Sequence, residues 1–581
     1  MKNNRSLWEK LFNFYCLQHA FILVAVVFLL GCTQQIIKLE KETSSQKPSS
    51  DEYAQGVIQQ TIYGQVEGTI DEGTSGLVWR GIRFAKSPAG DLRWRPPQEP
   101  EKWEGVKEAK SHAPICIQGT GGSGEEDCLS VDIYRPNSGE TGLPVYVWIH
   151  GGSNSAGKAA GNNLSYFAKE ANVVAVAIQY RLGPFGFFKH DALNTGDPQG
   201  DSGNYGLLDQ MLALSWVKKN ISFFGGDPKN VTAAGESAGA HNILSLMMSK
   251  YTKGLFQKAI YQSGGMEVIQ LPRAKDQSDA YVKNLKLTST GKALAKELRA
   301  LDAKAILKAK PKNARFGTIV DGHVIPDSYY CLLEAGDYNK MPIIMGGNRN
   351  ENSFWMLLGG GPDRKWRKLW GITSKKRKKT VADILTPEEQ KNFALTNSIT
   401  GRLWQAKQVH AVARSMRKFQ EDVYVYDFQW GGTKGTDVEF VFGAAHANEI
   451  AFFNFMPIFD IWAKGRSITE ENKAARLALA KAMRTYYAQF LHTGNPNGKA
   501  ADLPEWKIWS NEKDGLKTLN LDASSEPGSA DLNVYMTKRE YRLNDLHKEI
   551  DELTDQTTQS YIKGVATKRR WVEPLCTKTT D

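Results

Sequence analysis

A serine hydroxyl is a weak nucleophile until a base takes its proton and the chain aims it. Gly235-Glu236-Ser237-Ala238-Gly239 lies between a short apolar run, Asn230–Ala234, and a helical pattern, Ala238–Ser249. Glycines two residues either side let the chain turn sharply at Ser237. Its Oγ then projects above the end of a sheet, and the Ala238 N–H faces the site of a developing oxyanion. The same five residues also occur as an ordinary Gly/Ser loop. Chemistry at Ser237 therefore requires a positioned base, an acid and further N–H donors elsewhere in the chain.

The elements that must position these groups are legible as a pattern. Leu143–Ile149, Asn172–Tyr180, Asn230–Ala234, Ala259–Gln262, Met341–Met345 and Val423–Trp430 are short runs rich in Val, Ile and aromatics. Helical patterns such as Tyr205–Asn220 separate most of them. Strands apolar on both faces that alternate with helices predict a mostly parallel sheet covered on both sides, with its site in loops at the carboxyl ends of the strands. Two long intervals, near 266–315 and 355–418, interrupt the alternation and are expected to roof that site.

Ten histidines compete for the role of base. His446 follows the Val423–Trp430 strand. His241 lies one turn beyond Ser237 and is expected to be carried down the helix, and His323 reads as a surface or packing residue. Glu351 is the only carboxylate between Asp337 and Asp363, and it comes just after Met341–Met345. Ser237, Glu351 and His446 occur in the order α/β-hydrolases use. His150-Gly151-Gly152-Ser153, directly after Leu143–Ile149, is a glycine loop whose backbone can approach a substrate closely.

A series of motifs runs through the chain. They are Gly81-Ile-Arg-Phe-Ala85 with Leu92-Arg93, Glu126-Asp-Cys-Leu129, His150-Gly-Gly152, Tyr180-Arg-Leu-Gly183, Gly203-Asn-Tyr-Gly-Leu-Leu-Asp-Gln210, Phe224-Gly-Gly-Asp-Pro228, the Ser237 pentapeptide and Thr493-Gly-Asn-Pro496. In these pieces, and in this order, the chain resembles the type-B carboxylesterases, the cholinesterase-related branch of the α/β-hydrolases, from about Tyr63 to about Trp509. The resemblance implies an α/β-hydrolase fold with helical cap insertions. It also implies a Ser237–Glu351–His446 triad and an oxyanion hole of Gly152, Ser153 and Ala238, with Gly151 in support. Glu236 matches a family position and is expected to be buried beside the nucleophile, while Glu449 is expected to support His446. The chain departs from the family at Ser153-Asn154, where Gly or Ala and then an aromatic are usual, so a more polar wall is expected there. Cholinesterases carry a Trp just before the Glu-Asp-Cys-Leu segment whose face binds quaternary ammonium. The interval from Cys116 to Cys128 contains no aromatic residue, so that cation site is absent at this position.

Of 581 residues, 41% are hydrophobic and 24% charged, as in a chain that buries a core. The net charge of +11 is scattered apart from Lys375–Lys379, and no nucleic-acid module surrounds that run, so nucleic-acid binding is not expected. Lys2, Arg5 and Lys10 precede an apolar run, Phe21–Leu30, about half of the ~20 residues a spanning helix needs. This reads as a signal peptide over 1–31. Leu29-Leu30-Gly31-Cys32 resembles a bacterial lipobox, which implies lipidation of Cys32 and attachment to the cell envelope, with 32–55 as a polar tether. A catalytic domain over 56–545 and a helical or irregular tail over 546–581 complete the expected organisation. Export permits disulfides. Cys116 and Cys128 form a plausible bridge contributing roughly 3 kcal/mol, whereas Cys331 and Cys576 are left over and their pairing is open. No Cys/His spacing resembles a zinc site. The expected activity is hydrolysis of a small-molecule carboxylic ester without metal or cofactor. A binding module that has lost catalysis, or a lipase, thioesterase or polyester hydrolase, are the alternatives. Nothing in the sequence specifies an oligomeric state.

Overall fold

The computed structural model describes residue 53, residues 55–568 apart from 120, 160–162, 360–363, 374–378, 454–466 and 499–501, and Cys576. The expected signal peptide, Cys32, nearly all of the tether and most of the Lys375–Lys379 run lie outside the described residues. From Tyr53 onward the chain forms one compact unit.

Its centre is an eleven-stranded sheet. In chain order the strands are β1 (Thr69–Ile70), β2 (Leu77–Arg83), β3 (Ser130–Arg135), β4 (Leu143–Ile149), β5 (Val174–Ile178), β6 (Gly226–Glu236), β7 (Lys258–Gln262), β8 (Ile343–Asn348), β9 (Val423–Phe428), β10 (Thr518–Ala523) and β11 (Leu532–Thr537). In space they run β11-β10-β9-β8-β7-β6-β4-β5-β3-β2-β1. The stretch from β10 to β5 is parallel, and antiparallel pairs close both edges.

The apolar runs form strands because both of their faces are buried. Along β4, Val145, Val147 and Ile149 face one core while Tyr146 and Trp148 face the other, the two-residue alternation of a strand. The first core packs helices α1 (Tyr205–Asn220) and α2 (Ala238–Met248) through Leu207, Leu214, Ile243 and Met247. Helix α3 (Pro387–Trp404) opens on a capping box between Thr386 and Glu389, and α4 (Lys473–Thr493) covers the second core with Leu479, Met483 and Tyr487.

Some boundaries differ from expectation. Asn172 adopts φ 52° as the left-handed cap of a preceding helix, so β5 starts only at Val174. The expected domain end after residue 545 falls inside helix α5 (Leu543–Asp551). Leu546 and Ile550 of that helix, and Ile562 of α6 (Gln556–Lys568), pack with Ile399 and Leu403 of α3. The expected helical tail therefore shares a small core with α3. Cys116 and Cys128 are bonded, with Cα atoms 4.9 Å apart, and Cys331 is bonded to Cys576 across 245 residues. No helix among the described residues is long and apolar enough to cross a membrane.

Candidate active site

Strand β6 runs directly into α2 through Ser237, which sits at φ 54°, ψ −120°. An L-residue reaches this region only under strain, and here the flanking packing holds it. A Cβ on Gly235 would lie 2.5 Å from the Gly239 carbonyl carbon, and one on Gly239 would lie 2.0 Å from the Ile149 oxygen. Both glycines are thus required for the strand, the helix and β4 to meet. The Ser237 N–H donates to the Gln262 carbonyl at 2.9 Å, and Ala238 opens the helix, where first-turn N–H groups lack intrahelical partners.

Glu351 and His446 come from the loops after β8 and β9, and the main chain laces those loops together. The Asn350 N–H donates to the Ala444 carbonyl at 2.9 Å, and Asn348 Nδ2 donates to the Ala445 carbonyl at 2.7 Å. Glu351 is fully buried; its Oε1 accepts from the Asn348 N–H at 2.8 Å and its Oε2 accepts from His446 Nδ1 at 2.5 Å. This pairing assigns the proton to Nδ1 and leaves Nε2 beside the residue preceding Ser237, 3.3 Å from Glu236 Oε1. Glu449 accepts from Ser263 Oγ and, at 2.5 Å, from Asn348 Nδ2. Of the two expected supporting acids, Glu236 lies beside Nε2 and Glu449 acts on the imidazole through its charge.

Charge in this pocket is tightly shared. Burial opposes protonation of His446, but the carboxylates of Glu236 and Glu351 outweigh it and lift the imidazole to about 9. Burial likewise pushes Glu236 up to about 8 and Glu449 up to about 7. Glu236 and His446 share one attraction: once Glu236 takes a proton, it no longer favours the imidazolium. Proton occupancy of this pair, more than of either group alone, decides whether Nε2 is free to act as a base.

The glycine loop lies against the serine. A Cβ on Gly151 would lie 2.8 Å from the Glu236 carbonyl oxygen and 3.1 Å from Ser237 Cβ. Gly152 has φ 103°, and a Cβ there would lie 2.1 Å from the Ala156 oxygen. Ser153 and Asn154 follow in the left-handed region, at φ 56° and 52°. His150 beneath the loop is held neutral, its pKa lowered by burial to about 4, and it bonds the Gly151 carbonyl through Nδ1 at 2.9 Å. Asn154 lines the cavity beside Ser153, as the expected polar wall requires, and it has a second role. It is 2% exposed, its amide exchanges hydrogen bonds with Asn242 of α2, and its Oδ1 accepts from Tyr180 Oη. Its polarity is largely spent clamping the loop to the elbow helix.

Ser237, Ala238 and Ser153 line a cavity of about 440 Å³. Both long insertions contribute to its walls, the first through Val268, Ile269 and Phe316 and the second through Trp355, Trp404 and Gln408. The Trp404 and Trp355 rings also lie 5.5 and 6.1 Å from the His446 ring. His241 belongs to this wall too, contrary to the expectation that its helix carries it away; its Nε2 meets Tyr329 Oη at 3.1 Å. The wall aromatics gave no sequence signal beyond their place in the insertions. Trp404 and Gln408 flank and occupy a π-helical turn, Gln405–His410, that periodicity does not reveal. Among the described residues no group of three His, Cys, Asp or Glu is arranged to hold a metal.

The sequence model of the carboxylesterase family matches residues 55–542. The chain belongs to the carboxylesterase family. It is 31% identical to the para-nitrobenzyl esterase of Bacillus subtilis (strain 168), over 80% of this chain and 96% of that protein. It is 32% identical to the pyrethroid hydrolase Ces2a of Mus musculus, over 81% and 89%. A crystal structure of the Geobacillus stearothermophilus carboxylesterase superposes with a TM-score of 0.65 at 28% identity, covering 83% of this chain and 98% of that one. This carboxylesterase has the α/β-hydrolase fold of those relatives and is an esterase acting on small-molecule esters.

Proposed function

We propose that this carboxylesterase cleaves esters through a Ser237–Glu351–His446 triad and an acyl-enzyme. Ser237 Oγ attacks the ester carbonyl carbon as its proton passes to His446 Nε2. Glu351 holds the imidazole through Nδ1 and stabilises its charged form. The tetrahedral oxyanion accepts hydrogen bonds from the N–H groups of Gly152, Ser153 and Ala238, donors fixed before the reaction begins. Collapse expels the alcohol, which leaves with the proton from Nε2. Water, deprotonated by the same nitrogen, then attacks the acyl-enzyme and releases the acid. Glu236, 3.3 Å from Nε2, and Glu449 tune the imidazole and form no bond to the substrate.

The observation that carries this reading is the buried 2.5 Å contact between His446 Nδ1 and Glu351, set beside a serine held at φ 54°. With p-nitrophenyl butyrate as substrate, Ser237→Ala is expected to lower kcat by about 10⁴-fold or more with little change in Tm. A variant that keeps wild-type kcat overturns the assignment. Export and envelope attachment through a lipidated Cys32 belong to the same proposal, and the two disulfides fit an oxidising compartment. Incorporation of labelled fatty acid that Cys32→Ala abolishes supports attachment; equal incorporation in both overturns it.

A further inference from the structure

Three charged side chains line the cavity, Glu267, Lys310 and Arg315. Arg315 and Glu267 face each other at 3.5 Å, so their charges largely cancel. Lys310 has no carboxylate within salt-bridge distance among the described residues; its ammonium rests 5.4 Å from the Phe316 ring centroid. It belongs to a basic segment, Lys308-Ala-Lys310-Pro-Lys312-Asn-Ala-Arg315, in which all four cations are exposed. The segment is anchored at several points. The Ala314 N–H closes a turn onto the Pro311 carbonyl at 3.0 Å, and the Arg315 N–H donates to Gln277 Oε1 at 2.8 Å. Just beyond it, Ile319–Val320 pairs with Ile269–Gln270 as a small parallel sheet. The cavity that holds Ser237 therefore carries a net positive wall made of one uncompensated lysine on an anchored strap.

We propose that this strap selects esters bearing a carboxylate remote from the scissile bond, with Lys310 as the residue that sets the preference. The inference rests on the triad reading above and adds the substrate class. A cleft lined by one sign of charge raises the local concentration of the opposite sign and the rate of encounter, an effect that salt screens. Lys310 lines the cavity without belonging to the catalytic loops, so it acts on kcat/KM for anionic esters and leaves the chemical step alone.

The test compares carboxylate and carboxamide partners of equal shape. Monobutyl adipate against monobutyl adipamate puts the charge on the acyl side, and 3-(butyryloxy)benzoate against 3-(butyryloxy)benzamide puts it on the alcohol side. Intrinsic reactivity cancels when each carboxylate-to-carboxamide ratio of kcat/KM is compared between wild type and variant. In at least one pair the ratio is expected to fall about threefold in Lys310→Gln and about tenfold in Lys310→Glu at low ionic strength. Carboxamide rates should stay within twofold, and the difference should shrink in about 0.5 M salt. The pair that responds identifies which half of the substrate passes under the strap. Ratios unchanged in both pairs, with the carboxamide esters still hydrolysed, overturn the inference and leave the triad reading intact. Retained hydrolysis in Ser237→Ala breaks the triad reading instead.

Discussion

The reaction centre and the roof above it are built by different rules. At the centre, the groups are placed mostly by main-chain atoms and by side chains bonded to them. The Asn350 N–H and the Asn348 side chain bind the loop that carries His446, Glu351 is pinned by the Asn348 N–H, and Gly235 and Gly239 leave no room for a side chain. In the roof, the contacts facing the cavity come from side chains such as Phe316, Trp355, Trp404 and Lys310 on inserted segments. The lacing at the centre fixes the proposed triad. Side chains on insertions decide which molecules arrive. Changes at the centre should therefore destroy turnover, and changes in the roof should redistribute it among substrates.

The largest effect that sharpens this contrast is expected at Glu351. Glu351→Gln keeps the size of the side chain but removes the charge that stabilises the imidazolium, and should lower kcat by about 10⁴-fold; a loss under tenfold would assign the acid elsewhere. Gly239→Ala tests the packing rule. Its Cβ meets the Ile149 carbonyl oxygen, so the elbow must shift, costing on the order of 1–3 kcal/mol. Calorimetry should show a lower Tm, and activity assays a disproportionate loss, whereas unchanged values for both contradict the close approach of helix and strand.

Next comes a shift in pH dependence. In the proposed mechanism hydrolysis requires Nε2 unprotonated, and the carboxylates of Glu236 and Glu351 hold the imidazole above its ordinary range. The acid limb of the kcat/KM profile should therefore lie above pH 6.5, the ordinary histidine value. Glu236→Gln removes one attraction and should move that limb to lower pH; a limb that stays put, or moves up, excludes Glu236 from the network. In the roof, Trp404→Ala should change KM for aryl and long-chain esters by about tenfold while kcat on p-nitrophenyl acetate moves only a few-fold. Equal loss on all esters would instead make Trp404 part of the centre. The smallest effect concerns stability in acid. Burial lowers the pKa of His150 and His241 to about 4, so between about pH 6.5 and 4 the unfolded chain binds more protons than the folded one. Stability should fall as pH drops through that window, and replacing His241 with Gln should flatten the fall in denaturant titrations.

The same division explains what the sequence made legible. The strands, the elbow and the glycine loop were readable because their reasons are local: apolar runs buried on both faces, and glycines where a Cβ cannot fit. Glu351 stands out as the single carboxylate after its strand and His446 by its place after the next, and the structure brings the two side chains together. His241 was misjudged because helical periodicity gives its direction but not how far the first insertion, through Gly265 and Glu267, folds back to make it part of a wall. Asn154 is legible as a wall residue but not as a clamp, because its partners, Asn242 and Tyr180, lie far away in sequence. The π-helical turn at Gln405–His410 and the docking of α5 and α6 on α3 likewise depend on tertiary contacts that no local pattern announces.

Covalent trapping tests the central claim most directly. Wild-type protein treated with a fluorophosphonate and digested for mass spectrometry should carry one stoichiometric adduct, on the peptide containing Ser237, and activity should fall in proportion. Ser237→Ala should remain unlabelled. An adduct on another residue accompanying loss of activity, or full inactivation with Ser237 unmodified, would contradict the account.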